Sequence, residues 1–315
     1  MTAAVAEARA DLEARRRRVT DKRVSAAEAV RLVEDGHHVA IGGANYARTP
    51  MALLFELLRQ GRRDLTLSRP LSCYETELFL GSGMAGTLMT SWVGIGHGWG
   101  LARVVRHYVE NGLATFEEWS HLALGLRYKA GAMGVPFLPT VTMLGSDLAR
   151  DRDGAEITCP FTGQKLYAVP SLNPDVALVH VHRADPYGNA QIDGYPLMDV
   201  DMTRAARRVV ISTEEIVTTD ELRRSARDTV IPHFAVDAVV EAPYGAYPHE
   251  CYGRYEADAD HFAAYMNAIK AKGVDAVAEY VDTHVRAHPD FASFLASVGT
   301  ERLRELEAQA RELVP

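Results

Sequence analysis

The stretch Asp35-Gly36-His37-His38-Val39-Ala40-Ile41-Gly42-Gly43-Ala44-Asn45-Tyr46-Ala47-Arg48-Thr49-Pro50 decides the fold. Val39 to Ile41 is a short apolar run that ends in two glycines, the pattern of a buried parallel strand entering a turn. Pro50 suits the first position of a helix, where its missing N–H would have no intrahelical partner, and Met51 to Gln60 follows as that helix. Upstream, Ser25-Ala-Ala-Glu28 has capping-box spacing and predicts a helix reaching Glu34, stopped by Asp35-Gly36. Downstream, Asp64 to Leu67 reads as the next strand, so the segment closes as a βαβ unit.

The alternation continues away from this unit. Thr87 to Val93 reads as a strand, and Leu101 to Asn111 as a helix stopped by Gly112. Glu117 to Ala132 reads as a helix ended by Gly134 and Pro136. Asp175 to His182 is a Val-rich strand that runs into the turn Asp185-Pro-Tyr-Gly-Asn189, and Arg208 to Ser212 and Ala238 to Glu241 are further strands. From about His261 the chain is mostly helical. Alternating strands and helices predict an α/β fold, a Rossmann-like parallel sheet flanked by helices with a helical C-terminal region. Arg150 to Pro170, with its glycines and prolines, is expected to leave the sheet as a flap or hairpin. Residues 1–22, rich in Ala, Arg and Glu, are expected to form a helical extension, and 23–315 the main domain.

Composition narrows the function classes. A chain of 315 residues with 47% apolar and 24% charged residues can bury a large core. A net charge of -8 and a pI near 5.8 argue against nucleic acid or an anionic membrane surface as partner. The basic run Arg15 to Arg18 reads as a solvated helix face. No apolar run approaches the ~18 residues of a membrane span, and the N-terminal residues lack the apolar core of a signal peptide. Cys73, Cys159 and Cys251 are odd in number and widely separated, which fits a reducing cytoplasm, and no pair has zinc-ligand spacing, so neither metal nor cofactor is expected.

In an open α/β sheet, ligands bind beyond the carboxyl ends of the strands. Gly42 and Gly43 let the backbone approach a ligand, and N–H groups ahead of a helix can hold negative charge. The loop is a candidate anion or oxyanion site. The alternative is a purely structural turn. Gly94-Ile-Gly-His-Gly-Trp-Gly100 invites a dinucleotide-binding reading, but Trp99 breaks the G-x-G-x-x-G pattern, leaving a loop at the rim of the site. His180 and His182 share a strand face, with Asp185 beyond them, and read as core or subunit-contact residues rather than metal ligands.

The glycine stretch resembles the alpha-subunit motif of family I CoA-transferases: Asp-Gly, two variable residues, three apolar residues, Gly-Gly-Phe and a Gly-x-Pro ending. Asp35, Gly36, Val39 to Ile41, Gly42, Gly43 and Pro50 match, whereas Ala44 replaces Phe and Arg48 replaces Gly, departures that resemble the glutaconate CoA-transferase branch. Leu126 to Pro139 with Leu144-Gly-Ser-Asp147, His180 to Ala190, and Glu241 to Pro248 resemble the same family in order along the chain. The resemblance implies an alpha subunit of a two-subunit enzyme that moves CoA between an acyl-CoA and a carboxylic acid. It implies a beta-type partner in a hetero-oligomer, with the reacting glutamate on that partner in a Ser-Glu-Asn-Gly motif. A carboxylate attacks the thioester, and acyl and CoA groups exchange through anhydride and enzyme-CoA thioester intermediates. Donors aimed at each oxyanion assist. Gly42, Gly43, Ala44, Asn45 and Arg48 become the oxyanion or substrate loop, and Ser91 and Trp92 candidates for the acyl pocket.

Val109-Glu110-Asn111-Gly112 approaches the nucleophile motif but lacks its serine and falls at a helix end. CoA-thioester hydrolases of related fold, which open steroid-derived rings, carry an acidic residue near the helix expected from Glu117. Here His121 and Glu118 would be i, i+3 neighbours on that helix and serve as base and orienter, or else be surface or packing residues. Transfer is the preferred expectation and hydrolysis the alternative. Effector-binding domains of sugar-responsive regulators share the fold, but residues 1–22 lack the form of their DNA-binding helices.

Overall fold

The computed structural model describes residues 7, 10, 19–95, 100 and 102–313. In chain order its strands are β1 (His38–Ile41), β2 (Leu65–Ser68), β3 (Leu71–Ser72), β4 (Ala85–Thr90), β5 (Trp92–Val93), β6 (Thr115–Glu118), β7 (Phe137–Thr140), β8 (Ala155–Thr158), β9 (Lys165–Pro170), β10 (Val176–Ala184), β11 (Ala190–Gln191), β12 (Arg208–Ile216), β13 (Thr229–Ile231) and β14 (Ala238–Glu241).

The parallel part of the main sheet runs β14-β12-β10-β1-β2-β4-β6. β11 and β13 extend it as antiparallel strands beyond the end of β1. From β1 the chain steps outward through β2, β4 and β6. It then returns to the other side of β1 and steps outward through β10, β12 and β14. That reversal places a topological switch point between β1 and β10, where the crevice of an open α/β sheet forms. Gly42 lies at this point. Its N–H donates to Leu178 O at 2.8 Å, and a Cβ there would lie 2.9 Å from the Val179 side chain.

Alternation along the strands divides the core into two layers. Val39, Ile41, Val176 and Leu178 face helices Met51–Gln60 and Ala259–Lys272. Ala40, Ala177, Val179 and Val181 face helices His121–Met133 and Asp199–Ala205. Helix Met51–Gln60 has the predicted limits, with Gly61 closing it at φ 68°. The Ser25–Glu28 capping box forms, but its α-helix covers only Ala26–Ala29 before a 3₁₀ turn at Val30–Leu32. Helix Arg103–Glu110 lies within the predicted span. The C-terminal region is helical from Ala259 to Leu313 with short breaks.

Two expectations need correction. Thr87 to Val93 is not one strand: the chain turns at Ser91, and Trp92–Val93 leaves the main sheet to pair in parallel with Leu71–Ser72. Glu117 to Ala132 is not one helix. Thr115–Glu118 is the edge strand beside β4, and the helix starts at His121, where Ser120 Oγ caps it by accepting from the Ala123 N–H at 3.2 Å. Phe116 packs against one core layer while Glu117 reaches Trp119 on the other side. This two-sided anchorage and the ladder to β4 override the helical preference of the glutamates.

Arg150 to Pro170 does leave the sheet, as the hairpin β8–β9, completed by β7 into an antiparallel sheet of its own. Of the predicted extension 1–22, Glu7 and Ala10 are helical, and Glu7 pairs with Arg207 at 3.1 Å. The remainder up to Arg18 lies outside the described residues. Among the described residues no helix is long and apolar enough to cross a membrane.

Candidate active site

At the carboxyl end of β1 the chain makes a tight turn with Gly43 at φ 70°, Asn45 at φ 50° and Arg48 at φ 50°. The left-handed conformation is costly for residues with a Cβ, and at Gly43 a Cβ would also lie 2.0 Å from Ala47 O. Arg48 occupies the position where the motif has glycine, in a glycine-like conformation. Its guanidinium, 2% exposed, pairs with Asp199 at 2.7 Å and donates to His180 O at 3.1 Å and Tyr195 O at 3.2 Å.

The backbone donors of the turn are committed. Gly42 donates to Leu178 O, Gly43 to Asp199 Oδ1 at 2.8 Å, Ala44 to Ala47 O, Asn45 to Leu71 O and Arg48 to Glu250 O. The expectation that Gly42 and Gly43 offer N–H groups to a substrate oxyanion is therefore corrected. The turn does hold an anion, but the anion is the buried carboxylate of Asp199. Arg48 likewise anchors the turn to β10 and residues 195–199 rather than facing a substrate.

Beneath the turn, the Asn45 carbonyl lies 3.0 Å from His249 Nδ1 and accepts from Arg69 Nη2 at 3.2 Å and Thr49 Oγ1 at 3.5 Å. Arg69 follows β2, is fully buried, and pairs with Glu75 at 2.6 Å. His249 Nδ1 also lies 2.8 Å from Thr49 Oγ1, which accepts from Arg69 Nη2 at 2.7 Å. Burial, reinforced by the Arg69 charge, holds the His249 pKa well below the ordinary value and keeps the ring neutral. Arg69, Glu75 and His249 carry no local sequence signal, because two distant segments create the cluster.

Ser91, Trp92 and His121 meet at the carboxyl ends of β4 and β6. Ser91 Oγ donates to Pro70 O and accepts from His121 Nδ1 at 3.1 Å. His121, exposed at the first turn of its helix, thus keeps the Nε2 lone pair available. The expected Glu118–His121 pair on one helix face does not exist. Glu118 is an exposed residue of β6, and the ring partner of His121 is Ser91. Glu117 is instead tied to Trp119 Nε1 at 2.7 Å and Arg127 Nη1 at 2.9 Å, with Arg127 4.3 Å over the Trp119 ring. Trp92 stands on the rim, 42% exposed. Of the glycine stretch 94–100, residues 96–99 lie outside the described residues; Gly94 donates to Ser72 O.

The other sequence candidates are structural. Glu110 is exposed and pairs with Arg106 at 2.7 Å, and Gly112, at φ 65°, turns the chain after the helix. His180 bonds Ser212 and Glu214, at 2.9 and 2.7 Å. His182 bonds the Tyr252 carbonyl and accepts the Asp193 N–H on Nδ1. Asp185 accepts from Tyr187 and Asn189 in the turn that follows and from the Thr219 hydroxyl at the start of helix Thr219–Arg224.

A family model described as Coenzyme A transferase matches residues 23–242. The chain is 36% identical to the A-type subunit of 3-oxoadipate CoA-transferase from Pseudomonas knackmussii, covering 85% of this chain and 94% of that one. It is 32% identical to the A-type subunit of glutaconate CoA-transferase from Acidaminococcus fermentans, covering 87% and 91%. The crystal structure of that organism's glutaconate coenzyme A-transferase superposes with a TM-score of 0.86 over 90% of this chain and 95% of that one, at 32% identity. The chain is also 30% identical to the cholesterol ring-cleaving hydrolase IpdA subunit of Rhodococcus jostii, covering 86% and 94%.

Proposed function

The chain belongs to the coenzyme A transferase family, and from that premise we propose that it is the alpha-type subunit of a two-subunit CoA-transferase whose beta-type partner supplies the reacting glutamate. The observation that carries this reading is the state of the buried and half-buried carboxylates around the carboxyl edge. Glu75 is paired with Arg69, Asp199 with Arg48 and Gly43, and Glu117 with Arg127 and Trp119. A carboxylate must be free to attack a thioester, and withdrawing one from a buried ion pair strands the opposite charge. The chain's part is then to wall the crevice, through the turn at Gly42–Arg48, Ser91, Trp92 and His121, against a nucleophile from outside.

In the proposed cycle the partner's glutamate attacks the acyl-CoA carbonyl, expelling the CoA thiolate and leaving an acyl–glutamyl anhydride. The thiolate attacks the glutamyl carbonyl, releases the first acid and forms a glutamyl-CoA thioester. The second acid reverses the two steps and leaves as its CoA ester. Substrates are an acyl-CoA and a free carboxylic acid, with no cofactor beyond the CoA being moved. Intact-mass analysis of the complex after exposure to acyl-CoA tests this: a CoA adduct is expected on the partner chain, and an adduct on this chain would contradict it.

A second reading, CoA-thioester hydrolysis, is favoured by one observation. His121 holds its proton on Nδ1 toward Ser91 and keeps Nε2 free, the arrangement of a base that can activate water.

A further inference from the structure

Glu75 and His249 are fully buried, and Glu75 Oε2 and His249 Nε2 lie 3.7 Å apart. Neither atom has a hydrogen-bond partner among the described residues. His249 Nδ1 lies 3.0 Å from Asn45 O and 2.8 Å from Thr49 Oγ1, and in the tautomer that donates Nδ1–H to Asn45 O the Nε2 atom presents a lone pair. Glu75 Oε1 is engaged by Arg69 and by the Cys73 N–H, which leaves Oε2 facing the imidazole. In that tautomer of His249 two acceptors face each other in the protein interior and need an electrophile between them. A third donor adjoins them. Cys73 Sγ is fully buried, and it lies with Glu75 oxygen and His249 nitrogen atoms in a group mutually within 4.8 Å.

We propose that Cys73 Sγ, Glu75 Oε2 and His249 Nε2 form a buried site for a zinc-class divalent cation. Thiolate, carboxylate and imidazole are the ligand types zinc takes, and bonds of about 2.0–2.3 Å in a tetrahedron set ligand atoms about 3.3–3.8 Å apart. The Glu75–His249 separation of 3.7 Å falls in that range. Magnesium and calcium select oxygen ligands and would not use the thiol and the imidazole. The surrounding bonds are those that orient metal ligands: Asn45 O and Thr49 Oγ1 hold the Nδ1 edge of His249, and Arg69 holds the Glu75 carboxylate.

Binding forms the sulfur–metal bond as the Cys73 thiol proton leaves to solvent. The Cys73 thiolate and the Glu75 carboxylate supply the negative charge that faces the ion and Arg69. The site would clip the start of helix Tyr74–Gly81 to the segment at His249 and, through Asn45, to the glycine turn. Cysteine spacing alone predicts no zinc site, because the ligands come from a Cys-x-Glu turn and a histidine far along the chain.

The test is metal content and the spectrum of the full chain grown with zinc or with cobalt, then dialysed. Roughly one zinc per chain is expected, with a thiolate-to-cobalt charge-transfer band in the cobalt form. Cys73→Ser should abolish the band, and Cys159→Ser and Cys251→Ser should keep it. If Cys73→Ser does not fold, retention of the band in the other two variants assigns it to Cys73. A folded wild-type chain with neither zinc nor the band overturns the proposal, as does a band that survives Cys73→Ser or is lost only in Cys251→Ser or Cys159→Ser.

Discussion

Arg48 and Asp199 form a buried ion pair at 2.7 Å, and the second oxygen of the same carboxylate accepts the Gly43 N–H at 2.8 Å. One aspartate thus holds both ends of the glycine turn against the helix that begins at residue 199. Asp199→Ala should cost about 3–5 kcal/mol, because it leaves a buried guanidinium without its counter-charge. Arg48→Gly combined with Asp199→Asn should cost less, since the double variant removes both charges and suits the left-handed position at 48. Denaturant midpoints of the three proteins check this order.

Gly43→Val should damage the turn itself rather than only shield a substrate oxygen. The added Cβ meets Ala47 O, and the φ of 70° is unfavourable for a β-branched residue. The expected outcome is lost stability of at least about 1–3 kcal/mol alongside lost activity. Unchanged stability with lost turnover would instead restore the turn as a substrate-binding element.

Acid should destabilise the fold through buried histidines. Burial holds His182 at about 4, and its Nδ1 already accepts the Asp193 N–H, so protonation breaks that bond. The folded pKa lies below the unfolded value. The native state therefore binds fewer protons, and stability is full above about pH 6.5 and lost as the pH falls toward 4. The contribution is about 3 kcal/mol for this ring. His249, also held well below its ordinary value by burial, acts in the same direction. Unfolding free energies measured between about pH 7.5 and pH 5 should decline, and His182→Gln should flatten the decline.

His121 separates the two enzyme readings. In a transferase it positions substrate at most, so His121→Ala should lower transfer only a few-fold. As a general base for water it would contribute about 100-fold or more. The complex is assayed for CoA transfer to a free acid and for release of free CoA. Release without an acceptor that disappears in His121→Ala would establish hydrolysis.

The βαβ unit around Gly42 was legible because its signals are local: an apolar run, two glycines, a proline and a helix of ordinary length. The start of the helix at His121 was not. Glu117 and Glu118 favour a helix by composition, and only pairing with β4 makes them strand, although Ser120 was a readable cap. The role of Arg48 was hidden for another reason. Its partner Asp199 is brought beside it by the crossover from β1 to β10, which no local pattern encodes. Local pattern draws the eye to the carboxyl end of β1, but the bonds that occupy the turn's donors come from distant segments.

In the proposed enzyme this chain builds one wall of a site whose nucleophile lies on another. The most direct measurement is CoA transfer from acyl-CoA to a free carboxylic acid by the purified chain alone, by its beta-type partner alone, and by the reconstituted pair. Transfer is expected from the pair only, and should be abolished when the partner's reacting glutamate is changed to glutamine. Robust transfer by this chain alone would contradict the proposal.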